Sequence, residues 1–539
     1  MLYRSGRLRT VPVTVAAMAL VGASVDGRAE GLLNAACTLG QKQIVTDYQG
    51  PGTTNGRGHD MAAFIRAKNG GVDTDYLMLV WSKDSGKGEG GISFWNWDNP
   101  GSWAAGPTLK AKITAAPLRE AHSTPATNMF GSAWKTFVLQ TTTGFGVFDL
   151  ASVASPPPPS PVYYAIAGRT KGGAGSAAVC SGTCAGSYDA VNYDYSNGAV
   201  WFMALAAPYL YVAQADNGLN IFKFTDPTDP SKIEWQKRYD TGWFGHRVNQ
   251  VWVRGNRAVV SAVQENYGVT VLDLSNPISP VKLGSYGLAS NPPIRNSYGW
   301  TLNGETLYGA SKPQAALPSG LLVYELDPRT WALGPKKEVY GRCSSGAYVA
   351  TQDDNVFIGL SSCAHKIARD TKGTASHADD TWSKLSPEQP NAWKIGPSTA
   401  DNDFPTPFGN ALFVGNDHHT TPGSMVLCQQ AAKDTTAPQV NGRDPYAGAT
   451  NVAVTAGVGL SFTDNLQPWT ITTANLPVRI KGTPTPIAGY YSYQLNNVNF
   501  RPSVPFKPGT TYEVAVTARV KDLAGNAAIA SVATFQTAP

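Results

Sequence analysis

Short runs in which apolar and polar residues alternate recur along most of the chain. Each is introduced by glycine and closed by Asp or Asn ahead of proline. The clearest copy is Gly268-Val-Thr-Val-Leu-Asp273-Leu-Ser-Asn276-Pro277. Gly218 to Pro227, Gly91 to Pro100 and Gly320 to Pro328 repeat it, with shorter versions at Gly146 and Gly423. Period-two alternation bounded by Gly and Pro predicts β-strands.

The leading glycines are 55, 72, 50, 52 and 103 residues apart. The longest interval spans two periods, and a predicted hairpin about Asp353-Asp354-Asn355 fills the missing unit. The interval of 72 contains the proline run 156–161 and a Gly-rich stretch to Gly186. Seven units with a period near 50 predict propeller blades, because one four-stranded sheet cannot bury both of its faces alone. The period is too long for a β-helix and too short for a row of sandwiches. The predicted fold class is all-β: a seven-bladed β-propeller followed by an immunoglobulin-like β-sandwich. The predicted bounds are a signal peptide at 1–29, the propeller at 30–432 and the sandwich at 433–539.

The phrase Val269 to Pro277 resembles the LVIVD-repeat propellers of bacterial surfaces, over roughly residues 40–430. That resemblance implies a propeller that is exported or attached to the surface, and says little about chemistry. After the linker Asp434-Thr-Thr-Ala-Pro438, short strands follow at turn-bounded intervals. Thr436-Ala-Pro438, Phe506 to Tyr512 and Lys521-Asp-Leu-Ala-Gly-Asn526 resemble bacterial Ig-like domains of surface-layer and secreted polysaccharide-acting proteins. The resemblance implies a spacer or adhesive appendage.

Composition narrows the classes. The chain has 539 residues, with 55 Gly, 38 Pro, 42% hydrophobic and only 15% charged residues. That disfavours disorder and helical bundles. Net charge is +5 without a basic run, so no nucleic-acid partner is expected. Arg4, Arg7 and Arg9 precede an apolar stretch from Val11 to Val25, the pattern of an export signal. A bacterial protein, secreted or held at the cell surface after cleavage, is expected. No transmembrane segment is expected in the mature chain, which is read as monomeric.

Six cysteines in an exported chain invite pairing. Cys343 and Cys363 lie symmetrically about the predicted turn, and Cys180 and Cys184 could close a small loop. Cys37 and Cys428 remain, and their bridge would hold the seam of the ring. Free buried thiols or metal ligands are the alternatives, although the spacing matches no zinc motif.

Residues just ahead of each inner strand should converge at one mouth of the channel. They include His59 and Asp60, His122, Asp189, His246 and Arg247, and Arg295 with Tyr298. Trp243 and Trp300 stand beside these positions. Arg247 and Arg295 could fork onto a carboxylate or sulfate, and Asp60, Asp189, Trp243 and Trp300 complete the expected substrate contacts. The leading reading is a His/Arg funnel that binds an extracellular glycan or surface polymer, most plausibly an anionic polysaccharide. Whether the chain is an enzyme stays open. A polysaccharide lyase is favoured over a glycoside hydrolase, with His59, His122 or His246 as base, Tyr298 as acid and arginine as carboxylate clamp. Equally, histidine at this position could be structural, bonding the next blade's backbone. No cofactor is certain. A divalent metal on His59, His122 and His246, or a purely structural surface protein, are the remaining readings.

Overall fold

The computed structural model describes residues 33–45, 61–69, 72–81, 90–98, 101–116, 118, 121–131, 133–141, 144–150, 162–167, 179–181, 200–263, 267–312, 319–340, 346–360, 363–374, 379–385, 402–416 and 424–539. The expected signal peptide, His59, Asp60, Asp189, Cys184 and Cys343 lie outside the described residues.

Among the described residues, seven antiparallel blades follow one another along the chain. Blades three to five run as plain four-stranded meanders over 202–239, 250–286 and 297–340. Blade one spans Met61–Asn69 to Thr108–Ala116, and blade six Gly346–Gln352 to Thr381–Lys384. The repeat phrases are the third strands: Gly90–Asn96, Gly144–Asp149, Leu219–Phe224, Val269–Asp273, Gly320–Leu326 and Ser424–Cys428. Both faces of these strands are buried because each blade is stacked between two others; Val269, Val271 and Leu272 are all fully covered. Inner strands of successive blades touch from blade three to blade seven, and blade one closes on blade seven. Across the two-to-three boundary Phe145 meets Phe222 edge-on at 5.0 Å.

The seam is made as the sequence predicts. Lys42–Val45 pairs with Ser424–Cys428 and supplies the outer strand of blade seven. Cys37 and Cys428 form a disulfide with Cα atoms 6.1 Å apart. Gln352 and Asn355 pair across the Asp353-Asp354 turn, which confirms that hairpin. Cys363 opens the next strand, Cys363–Asp370, and is not part of the hairpin's returning strand. The expected Cys343–Cys363 and Cys180–Cys184 bridges lie outside the described residues.

The C-terminal module is a two-sheet sandwich. One sheet orders Val440–Asp444, Val458–Phe462, Asn497–Pro502 and Gly489–Gln494; the other holds Ala449–Val452, Ser531–Thr537, Thr511–Val516 and Val478–Ile480. Tyr491, Phe500, Phe506, Tyr512 and Phe535 fill its core.

It is no free appendage. Gly489–Gln494 pairs with Ala126–Thr127, the inner strand of blade two, so one sheet runs from propeller into sandwich. The polar side of that sheet faces the propeller floor. Ser492 and Gln494 donate to the carbonyls of Leu205 and Met203, and Asn497 and Asn499 to those of Leu302 and Val253. These carbonyls belong to the inner strands of blades three, four and five. A buried main-chain acceptor without a partner is costly, and the four polar side chains remove that cost.

Candidate functional site

At the opposite mouth of the channel, residues at or just ahead of the starts of the inner strands converge. His122, Trp201, Tyr298, Tyr348 and Phe404, from five blades, form one ring cluster. His122 lies 5.3 Å from Trp201 and Tyr348 and stacks on Phe404 at 5.5 Å. Tyr298 meets Trp201 and Tyr348 edge-on. His122 is 2% exposed, and its Nδ1 donates to the Trp201 carbonyl at 3.2 Å. The imidazole is therefore part of an aromatic plug across the axis.

His246 has different neighbours. Its Nδ1 donates to the Arg247 carbonyl at 2.6 Å, and its Nε2 accepts from the Thr270 hydroxyl at 2.8 Å. A Cβ on Gly268 would fall 2.2 Å from the ring, so the repeat glycine exists to seat this histidine. Burial lowers its pKa, which keeps it neutral. With both nitrogens engaged it is not placed as a base or a metal ligand; its ring packs on Phe244, whereas His122 packs on Trp201, Tyr348 and Phe404.

The two arginines already hold carboxylates. Arg247 grips Asp216 in a fork, at 2.7 and 3.2 Å. Arg295 is buried and ion-paired to Glu338 at 3.2 Å. Trp300 is core, with its indole N–H on the Ala262 carbonyl. Trp243 lies on the rim between the outer strands of blades three and four, against Tyr239 and Lys282. The expected funnel is thus gathered only at His122 and Tyr298; burial and internal ion pairs engage the other described members.

A second site lies on the other face, where no sequence pattern points. A cleft of about 480 Å³ opens between blades three and four and the sandwich. Its walls include Tyr209, Lys223 and Phe224 from blade three, Pro277 from blade four, and Tyr490 and Arg501 from the sandwich. The Arg501 guanidinium sits 5.4 Å from the Tyr209 ring centre, and Nη1 donates to the Thr455 carbonyl. Its Nε and Nη2 are buried without a hydrogen-bond partner. Desolvation lowers the pKa of Arg501, with Tyr211 and Tyr209 opposing. No carboxylate lines the cleft among the described residues. Two cations and three aromatic rings around one concave space suit a ring-shaped anion.

A search of solved structures returns the periplasmic gluconolactonase of Pseudomonas aeruginosa, at 12% identity and a TM-score of 0.35, covering 58% of this chain and 86% of that one. A Lactobacillus plantarum protein matches at 14% identity and 0.38, covering 60% and 87%. The Cps50 (Swd1) β-propeller domain of Myceliophteria thermophila matches at 11% identity and 0.41, covering 72% and 98%. No curated protein matches the chain. The LVIVD repeat matches residues 197–241 and 245–287, which are blades three and four, and the bacterial Ig-like domain matches residues 434–537. The chain is a β-propeller that carries LVIVD repeats in blades three and four, joined to a C-terminal bacterial Ig-like domain.

Proposed function

We propose that this is an extracellular recognition protein that binds an anionic glycan in the cleft between propeller and sandwich. The carrying observation is Arg501, a buried guanidinium with two nitrogens unpartnered and no carboxylate beside it. An isolated buried charge is costly, and a ligand carboxylate or sulfate would offset that cost. Tyr209, Tyr490 and Phe224 offer flat apolar surface for a sugar ring, and Lys223 adds a second positive charge. An extracellular setting is supported by the Cys37–Cys428 disulfide, which belongs to an oxidising compartment, and by the bacterial Ig-like domain. No helix of the described residues is long and apolar enough to cross a membrane. Binding is favoured over lyase chemistry because His122 is enclosed in the plug and His246 has both nitrogens engaged.

Calorimetric titration with oligogalacturonate, against a neutral cello-oligosaccharide of equal length, tests this reading. The acidic ligand should bind and weaken with added salt. Arg501→Gln and Lys223→Gln should each lower its affinity about tenfold, as loss of a charge-assisted contact does. Equal binding of the neutral oligomer, or no effect of either substitution, overturns it.

A further inference from the structure

The junction between propeller and sandwich also gathers carboxylates. Asp353 lies on the blade-six turn, Asp434 in the linker, and Asp464 in the sandwich. One oxygen from each lies within 4.8 Å of the others. Asp464 and Asp434 are buried, at 0% and 2% exposure. The arrangement is fixed from outside: the Asp353 N–H donates to the Thr463 carbonyl at 2.6 Å, and Asp434 Oδ1 accepts the Thr436 N–H at 2.9 Å.

Asp464 Oδ2 and Asp353 Oδ1 are buried without a hydrogen-bond partner. So is a neutral acceptor, Gln352 Oε1, while its amide nitrogen donates to Asp434 Oδ2 at 3.2 Å. Asp522 stands behind, with its carboxylate held by Asn526 at 2.8 and 2.9 Å. Lys366 is the cation nearby, and its ammonium is engaged by Gln429 Oε1 at 2.5 Å.

We propose that Asp353, Asp434 and Asp464 form a calcium site that clamps the sandwich onto the propeller. Carboxylate oxygens are hard donors, and no sulfur or imidazole takes part. Calcium bonds oxygen at about 2.3–2.6 Å, so oxygens up to about 4.8 Å apart can share one ion. Magnesium keeps its water more tightly and suits a dry site less well. The clamp joins three chain segments, so binding should stabilise the folded state alone.

The test uses the full chain, stripped with chelator and scanned by calorimetry with and without Ca²⁺. At 1 mM Ca²⁺ and matched ionic strength, Tm should rise by about 3 °C or more. Titration calorimetry should show one saturable site. Asp464→Asn keeps the side-chain shape and removes one repelling charge, so it should fold and lose the calcium-dependent shift. Asp353→Asn is the second variant, should the first not fold, and should behave alike. No shift and no binding heat in the unaltered chain overturns the proposal, as does a shift that survives the substitution.

Discussion

Gly255 and Gly459 meet backbone to backbone, so close that a methyl group on Gly459 would lie 2.1 Å from the Gly255 nitrogen. Gly255 is the blade-four turn residue, held at φ +61°, and Gly459 lies in the facing strand of the sandwich. Their contact, flanked by Asn256 and Asn499, sets how deeply the sandwich sits on the floor.

Gly459→Ala should therefore undock the two parts. The clash is with backbone, which cannot yield as a flexible side chain does, and overpacking of this kind costs about 3 kcal/mol or more. Scanning calorimetry should show the single transition of the native chain split into two, with the sandwich melting separately.

Opening the seam should cost more. The Cys37–Cys428 bridge joins residues 391 apart in sequence. Loop entropy for so long a closure gives about 6 kcal/mol. Cys37→Ser should lower the urea midpoint accordingly, and reducing agent should have little further effect on that variant's blade-seven stability.

Asp444 provides a pH signature at the same interface. Burial raises its carboxyl to about 6, against Arg257 and the Asn256 N–H, which act to lower it. The folded state then holds this proton more tightly than the unfolded chain. Its contribution is fully present below about pH 4 and is lost as pH rises through about 6, roughly 3 kcal/mol in all. Asp444→Asn should flatten that part of the stability profile, with unfolding measured in urea from pH 4 to 7.

His122→Phe separates the plug from catalysis. An aromatic ring keeps the stacking on Phe404 and Tyr348 and loses one hydrogen bond to the Trp201 carbonyl, worth about 1 kcal/mol. Stability should fall by about that amount, and binding of oligogalacturonate should be unchanged. Loss of an ultraviolet-absorbing unsaturated product from uronate polymer in this variant would assign the histidine a catalytic role instead.

Part of the site was readable. His122 precedes the inner strand of blade two and Tyr298 lies at the start of that of blade five, and a ring must bring such places to its axis. The partners of Arg247 and Arg295 were not readable, because Asp216 lies 31 residues before Arg247 and meets it only through the register of blade three against blade four. Arg501 gave no signal either: an arginine in an alternating strand reads as solvent-facing until something is packed over it.

The repeat by itself determined that the chain would be an all-β ring, because glycine-led alternation with a period near 50 leaves each sheet two apolar faces to bury. It also placed the seam, since Cys37 and Cys428 flank the first and last units. Tertiary structure alone decided what Ser492, Gln494, Asn497 and Asn499 do. Alternation along a strand says which residues share a face, and polar ones are assigned to water by default. Here the floor of the propeller ends in main-chain carbonyls, and the polar face is buried against them. Polarity fixes what a surface must bond to, and only the assembled fold determines whether that partner is solvent or protein.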